Sequence, residues 1–166
     1  MRYLRPLIVL VALSSASASL AQSDTYTSED EALLQQCFAG VAEAGEVDAG
    51  GGVSLLDCIG AASNVCQEED PSTQGIVACN SREQSWWDEQ LNDHYATLKA
   101  GLQADIFGSL QKAQRAWLAY RDANCDYQYQ LWGDGTMRQV IGSYCWMEMT
   151  AQRAIDLSYD LDAISL

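Results

Sequence analysis

Residues 110–125 constrain the fold of this chain most, because they join a helical apolar stripe to a cysteine. The apolar side chains of this segment recur at steps of three and four residues, which is the spacing of one face of an α-helix. The segment therefore predicts a buried helix, and its cysteine can be tied to Cys145 in a neighbouring helix. The stripe consists of Leu110, Ala113, Trp117 and Tyr120, and the cysteine is Cys125.

Four polar residues on this helix and the next are predicted to be structural. Gln114, Arg121 and Asp122 can reach over the packed face, and Arg153 lies on the following helix. Because the arginine fork matches the geometry of a carboxylate, we expect Arg121 to pair with a group such as Asp122 or Asp156. An ion pair of this kind is preferred here to a ligand site.

Periodicity, capping patterns and turn residues predict an all-α fold, a small disulfide-bonded bundle of about five helices. The sequences at 28–31 and 136–139 have the pattern of a capping box, Ser-x-x-Glu and Thr-x-x-Gln. The glycine stretch at 49–52 lacks the preceding strand and the lysine of a phosphate-binding loop, so we predict a plain loop there. The predicted helices span about residues 29–44, 54–69, a start between 73 and 81 through 102, 106–131, and 136–161.

The first 21 residues show the three parts of a secretory signal peptide. Arg2 and Arg5 precede an apolar run at 7–13, and small residues lead to Ala21. The apolar run is too short to remain as a membrane anchor, and no cysteine follows Ala21 closely enough to carry a lipid. We therefore expect cleavage near Ala21 and a periplasmic or secreted protein with no membrane anchor in the mature chain.

Six cysteines, all after residue 21, predict three disulfides in an exported chain. In a helical hairpin that turns near residue 132, the levels of Cys125 and Cys145 differ by only about 5 Å at the helical rise per residue. Similar reasoning pairs two cysteines across the glycine loop and leaves two to tie the second helix to the third. The hypothesis is Cys125–Cys145, Cys37–Cys58 and Cys66–Cys79, which peptide mapping of the unreduced chain can overturn.

The charge of the chain disfavours nucleic acid as a partner. Nine basic and 23 acidic residues give a formal charge of −14, which becomes −16 if the predicted signal peptide with its two arginines is removed. Such a surface repels phosphate backbones and steers cationic partners towards itself. The alternative interpretation is that the acidity only keeps the protein soluble.

Neither a metal site nor a catalytic centre is predicted, and no cofactor is expected. The chain contains no Cys-x-x-Cys pair and a single histidine, His94, which lies far from a matching cysteine pattern. It also lacks the Gly-x-Ser-x-Gly turn of many serine hydrolases. His94 lies beside the apolar stripe of the third helix, so we interpret it as a partly buried, hydrogen-bonded side chain. The chain is therefore predicted not to be an enzyme.

The strongest turn signal of the chain is also its candidate contact site. At least one of Trp86, Trp132 and Trp146 should be partly exposed, and exposed aromatic rings are enriched in binding surfaces, although the alternative is that these rings pack under loops. We therefore assign partner contact to this turn. Its residues are Trp132, Gly133, Asp134 and Gly135.

Residues 79–161 resemble the N-terminal domain of the lysozyme inhibitor LprI family of small exported bacterial proteins. The resemblance rests on residues 87–95, on 110–125, on the glycine turn at 133–135, and on Cys145 with Thr150 and Arg153. It implies a helical, disulfide-bonded exported domain at 79–166. Residues 22–78 form an additional helical hairpin, which we expect to pack with that domain as one unit. The chain departs from the family's eponymous lipoprotein, because it lacks the cysteine for a lipid anchor.

The charge and the resemblance together predict an inhibitor of lysozyme or of another cationic cell-wall hydrolase. An anionic, rigid protein can be steered onto a sugar-binding cleft that holds two carboxylates and can cover it. The alternative is a non-enzymatic module of the cell envelope, for interaction or stress tolerance, that binds another periplasmic protein. An enzyme is the third class, and a concave pocket that holds His94 and a buried carboxylate would favour it.

Overall fold

The computed structural model describes residues 25–44 and 54–164. The predicted signal peptide at 1–21, its cleavage near Ala21 and the predicted glycine loop at 49–52 lie outside the described residues. Within these two ranges the chain forms five α-helices and one short 3₁₀ helix, with no strand, which confirms the all-α prediction. The helices are α1 (Ser28–Ala44), the 3₁₀ helix (Leu55–Cys58), α2 (Ala61–Glu69), α3 (Thr73–Gly101), α4 (Ala104–Leu131) and α5 (Met137–Ile164).

Helices α3, α4 and α5 form an up-down-up unit. Contacts between α3 and α5 advance together along both helices, from Gln74 with Gln139 to His94 with the Ala154 carbonyl, so these helices run parallel. Helix α4 runs antiparallel to α5, because Gln114 contacts Arg153 while Cys125 is bonded to Cys145. This arrangement places the α4–α5 turn at one end of the molecule.

Helix α1, the 3₁₀ helix and α2 cover the α3–α5 pair. Leu34 of α1 and Ala62 of α2 belong to the same apolar core as Trp87 of α3 and Met147 of α5. Residue 79, where the sequence analysis begins the matched domain, lies inside α3. The remaining core residues are Trp86, Leu91, Leu98, Ala151, Ala154, Ile155 and Leu157.

The structure contains three disulfides, and their pairs are those that the sequence analysis proposes. Cys37–Cys58 ties α1 to the 3₁₀ helix, Cys66–Cys79 ties α2 to α3, and Cys125–Cys145 ties α4 to α5. Their Cα atoms lie 5.6 to 5.7 Å apart, an ordinary separation for bridged cysteines. The pair with the most extensive contact, α3 with α5, is therefore held without a disulfide of its own.

Glu83 positions the start of α2 against α3. Its side chain is buried and accepts hydrogen bonds from the backbone N–H groups of Gly60, Ala62 and Ser63 at 2.7 to 3.0 Å. It also accepts one from Trp87 Nε1 at 2.9 Å. The free N–H groups at a helix N-terminus stabilise a negative charge, so this carboxylate acts as a cap supplied by another helix.

Two helix starts differ from their predictions. The capping box of α1 lies one residue earlier than Ser28, because the Thr27 hydroxyl accepts from the Asp30 N–H while the Asp30 carboxylate accepts from the Thr27 N–H. Ser54 caps the 3₁₀ helix, and the α-helix begins only at Ala61. Asp30 of the observed capping box also pairs with Arg82. A turn at Gly60, which has a φ of +95°, separates the 3₁₀ helix from α2.

The prediction of a buried helix at residues 110–125 is wrong for the helix as a whole. Only Gln114 and Cys125 are buried along α4, whereas Ala113 and Tyr120 of the predicted inner stripe are exposed. The physical reason is that α4 packs mainly against a single neighbour, α5. A helix with one neighbour buries only a narrow strip. None of the described helices is long and apolar enough to span a bilayer.

Candidate functional site

The turn between α4 and α5, called here the hairpin tip (residues 131–137), is exposed throughout. Trp132 follows the last residue of α4 and keeps 49% of its surface accessible. The Gly133 N–H donates to the Gln130 carbonyl at 3.1 Å, and Gly133 adopts a φ of +58°, a conformation that favours glycine. The structure thus brings the four predicted contact residues, Trp132, Gly133, Asp134 and Gly135, together on one projecting turn.

Arg138, in the first turn of α5, holds this tip in place. Its Nη1 donates to the Gly133 carbonyl at 3.1 Å and lies 3.5 Å from the Asp134 carboxylate. Its guanidinium also lies over the Tyr129 ring, 4.9 Å from the ring centroid. Below these contacts, Tyr129 packs directly on Gly142, where an added Cβ would lie 3.0 Å from the ring. The tip is therefore attached to both helices.

The four polar residues predicted to be structural lie along the seam between α4 and α5. Arg153 Nε donates to Gln114 Oε1 at 2.9 Å. Arg121 donates to Asp122 at 3.0 Å and to the Thr150 hydroxyl at 3.3 Å, and it lies over the Trp117 ring at 5.1 Å. Arg153 lies 3.6 Å from the Asp156 carboxylate. Each of these side chains has a partner within the protein.

The outer side of α4 continues the exposed surface of the tip. Tyr120 is 62% exposed, Tyr127 58% and Leu131 61%. These residues are spaced by seven and four positions, so they share one side of the helix. With Trp132 they form an exposed surface of aromatic and aliphatic side chains that runs from the tip along α4, and we call it the α4 outer face.

A groove of 780 Å³ lies on another part of the molecule, between α1, α3 and α5. Its floor is apolar and includes Phe38, Leu55, Trp86 and Ile155. Four carboxylates line its edge, and no lysine or arginine of the described residues joins them. These acidic residues are Glu31, Glu89, Asp93 and Asp162.

Tyr26 and His94 complete the edge of the groove. Tyr26 Oη donates to Glu89 Oε2 at 2.6 Å, and this hydrogen bond, with smaller contributions from burial and nearby carboxylates, raises the pKa of Tyr26 to about 12. His94 Nδ1 lies 2.9 Å from the Ala154 carbonyl, which can only accept, so Nδ1 carries the proton. His94 is half-buried and hydrogen-bonded, as predicted.

Histidine and carboxylates in this groove do not form the arrangement that would favour an enzyme. Glu31 is half-buried, and Glu89, Asp93 and Asp162 are exposed. Within residues 25–44 and 54–164 the buried carboxylates are Asp30 and Glu83, and both lie elsewhere with internal partners. The groove therefore offers charge at its surface, without a desolvated acid or base beside His94.

Three residues that attach α1 and α2 to α3 were not predicted from the sequence: Asp30, Arg82 and Glu83. Arg82 donates to both carboxylate oxygens of Asp30 at 2.7 Å, and it joins α1 to α3. The pattern Thr27-x-x-Asp30 is itself a capping signal, adjacent to the one selected. Glu83 lies four residues before Trp87, a spacing that places the two side chains together on one helix face.

Comparisons with known proteins find a matching family and a relative. A family model described as lysozyme inhibitor LprI matches residues 64–157, which include α3, α4 and the hairpin tip. An uncharacterized protein of Rhizobium meliloti (strain 1021) is 31% identical over 124 residues, which cover 63% of this chain and 88% of that protein. The search of solved structures finds no match.

Proposed function

Because this chain belongs to the lysozyme inhibitor LprI family, we propose that it binds lysozyme or another cationic cell-wall hydrolase and blocks it sterically. The proposal places the protein outside the cytoplasm, where such enzymes act, and assigns it no chemistry of its own. Covering a sugar-binding cleft requires shape and charge, and a catalytic residue is not needed.

The hairpin tip is the observation that carries this proposal. Trp132 is half exposed on a turn that Arg138 and the Cys125–Cys145 disulfide attach to both helices. A partner that closes over a pre-organised tryptophan gains contact area and loses little conformational entropy. Tryptophan and tyrosine are also the residues that most often dominate binding energy at interfaces. Tyr127 and Leu131 extend the contact along the α4 outer face.

An assay of cell-wall lysis by lysozyme tests the proposal. An excess of this protein should slow the lysis of a cell-wall suspension by lysozyme. The variant Trp132→Ala should have a half-inhibitory concentration about tenfold higher, as expected for loss of a hot-spot residue. Ile106→Ala is the matched control, because Ile106 is also half exposed but lies near the opposite end of α4. Its half-inhibitory concentration should stay within about twofold of the parent.

Two results would contradict the proposal. Unchanged lysis at a large excess of the unaltered protein would reject inhibition of lysozyme, and the alternative of an envelope interaction module would then be tested by pull-down from periplasmic extract. An equal loss of inhibition for Trp132→Ala and Ile106→Ala would reject the hairpin tip as the contact site.

A further inference from the structure

We propose that the groove between α1, α3 and α5 binds an arginine- or lysine-bearing peptide segment of a partner protein. This inference concerns a second surface and does not depend on inhibition of lysozyme. Counted along α5 from Met137 to Ile155, the groove lies about 27 Å from the hairpin tip at the helical rise per residue. The two surfaces can therefore be altered separately.

The carboxylates of the groove have unused capacity for a cation. Among the described residues, none of Glu31, Glu89, Asp93 and Asp162 forms an ion pair. Glu31 accepts a hydrogen bond from Gln35, and Glu89 accepts one from Tyr26. Because each carboxylate has two oxygens with several lone-pair positions, these bonds leave room for further donors.

The negative charges in this groove have no lysine or arginine of the described residues beside them. Glu89 and Asp93 are four residues apart on α3, and two carboxylates at this spacing repel each other on a helix. Glu31 and Asp162 bring further negative charge from α1 and α5. Among the described residues, the other charged or titratable side chains that line the groove are Tyr26 and His94. A cationic occupant would relieve this repulsion.

The shape of the groove favours an extended cation over a metal ion. In the part of the chain that the structure describes, no three acidic, histidine or cysteine side chains converge closely enough to hold a metal. The floor contains Phe38, Leu55 and Ile155, which offer apolar contact. Arginine and lysine have an apolar stem and a charged end, so they match an apolar floor with an acidic edge. The flat guanidinium can also stack on the half-buried ring of Phe38.

Binding of a fluorescent arginine-rich peptide, blocked at both ends, tests this inference without lysozyme. We expect saturable binding at low ionic strength and a loss of affinity of about tenfold for the double variant Glu89→Gln/Asp93→Asn. Glu68→Gln/Asp126→Asn is the matched control, because it removes the same charge from exposed positions of α2 and α4. The control should stay within about twofold of the parent. Trp132→Ala should leave peptide affinity unchanged.

The groove variant should fold at least as well as the parent, since it removes repulsion between neighbours on α3. Its melting temperature, followed by circular dichroism, separates loss of binding from loss of structure. Four results would overturn the inference: absence of saturable binding, equal weakening by the groove and control variants, equal weakening by Trp132→Ala, or displacement of the peptide by calcium ions far more effectively than by sodium at equal ionic strength. None of these results bears on the lysis assay.

Discussion

Glu83 shows how one side chain fixes the position of a whole helix. It is buried, yet its carboxylate receives four N–H donors, three of them from the start of α2 and one from Trp87. Transfer of a charge into a protein interior is unfavourable unless hydrogen bonds replace water. Without the Glu83 carboxylate these N–H donors would lack acceptors, and without the donors the buried carboxylate would lack hydrogen bonds.

Replacement of Glu83 by glutamine should destabilise the protein strongly. The amide keeps the size of the side chain but presents N–H₂ to backbone N–H groups, so we expect the free energy of unfolding to fall by about 3 kcal/mol. Urea denaturation followed by circular dichroism measures this change, with Glu68→Gln on exposed α2 surface as the control. A loss no larger than that of the control would show that water replaces the lost acceptor.

The ion pair between Asp30 and Arg82 should make the stability of the fold depend on pH in the acidic range. Burial by itself raises the pKa of Asp30, but hydrogen bonds from the Thr27 backbone and from Arg82 outweigh it, and the pKa lies below its ordinary value of 3.8. A lowered pKa in the folded state means that the carboxylate stabilises the fold above the unfolded value. That contribution is lost as the pH falls through the folded pKa.

We therefore expect Asp30→Asn to cost stability near neutral pH and to cost progressively less below 3.8. Melting temperatures of the parent and the variant, measured from neutral pH downwards, should converge in acid. A difference that stays constant over this range would contradict the ion pair as its source. Asp126→Asn, at an exposed position of α4, is the control for the effect of removing one negative charge on the melting temperature.

At the scale of elements, α4 differs from the other long helices. Helices α3 and α5 each bury eight residues, whereas α4 buries two. Its inner strip carries the polar contacts of Gln114 and Arg121, and its aromatic residues Tyr120 and Tyr127 point outwards. A helix that is held by polar contacts and a disulfide, with aromatic residues on its free side, suits a binding surface better than a core.

Two glycines of the α4–α5 hairpin should respond in opposite directions to alanine. Gly133 has a φ of +58°, so Gly133→Ala should cost about 1 kcal/mol of unfolding free energy. Gly108 lies inside α4 with nothing within 4 Å of an added Cβ, so Gly108→Ala should add about 0.8 kcal/mol. Chemical denaturation of the two variants measures the change in the free energy of unfolding. Changes of the same sign in both variants would contradict the geometry of the turn.

At the scale of the molecule, the net charge determines how the protein would attract the partner proposed for it. The chain has a formal charge of −14, and its acidic residues are distributed over every helix. Attraction of a cationic enzyme to such a surface acts at long range and is screened by salt. The contact proposed for Trp132 would be short-range and largely independent of salt.

Inhibition of lysis should therefore weaken as ionic strength rises, for the parent and for Trp132→Ala alike. We expect the half-inhibitory concentration to rise about tenfold between low salt and a concentration above physiological, since the Debye length then falls below about 8 Å. Lysozyme alone, assayed at each salt concentration, is the control. A constant half-inhibitory concentration would show that shape alone determines the contact.

Much of the fold could be predicted from local signals. The turn signal at residues 132–135, the third helix that ends near Leu102 and the disulfide from Cys125 to Cys145 all follow from spacing over short stretches of chain. The inner face of α4 could not be predicted in the same way. The apolar spacing placed Tyr120 on the buried face, but Tyr120 is exposed. Which face of α4 is buried depends on how many helices pack against it.

The sequence by itself determined the helical class, the approximate helix bounds after residue 73 and the acidic character, because periodicity, turn residues and charge are properties of neighbouring residues. Only the tertiary structure decided that Glu83 caps α2, that Asp30 pairs with Arg82, and that four carboxylates from three helices line one groove. These contacts join residues that are distant along the chain. Their energy comes from desolvation and charge at sites that exist only once the helices have packed.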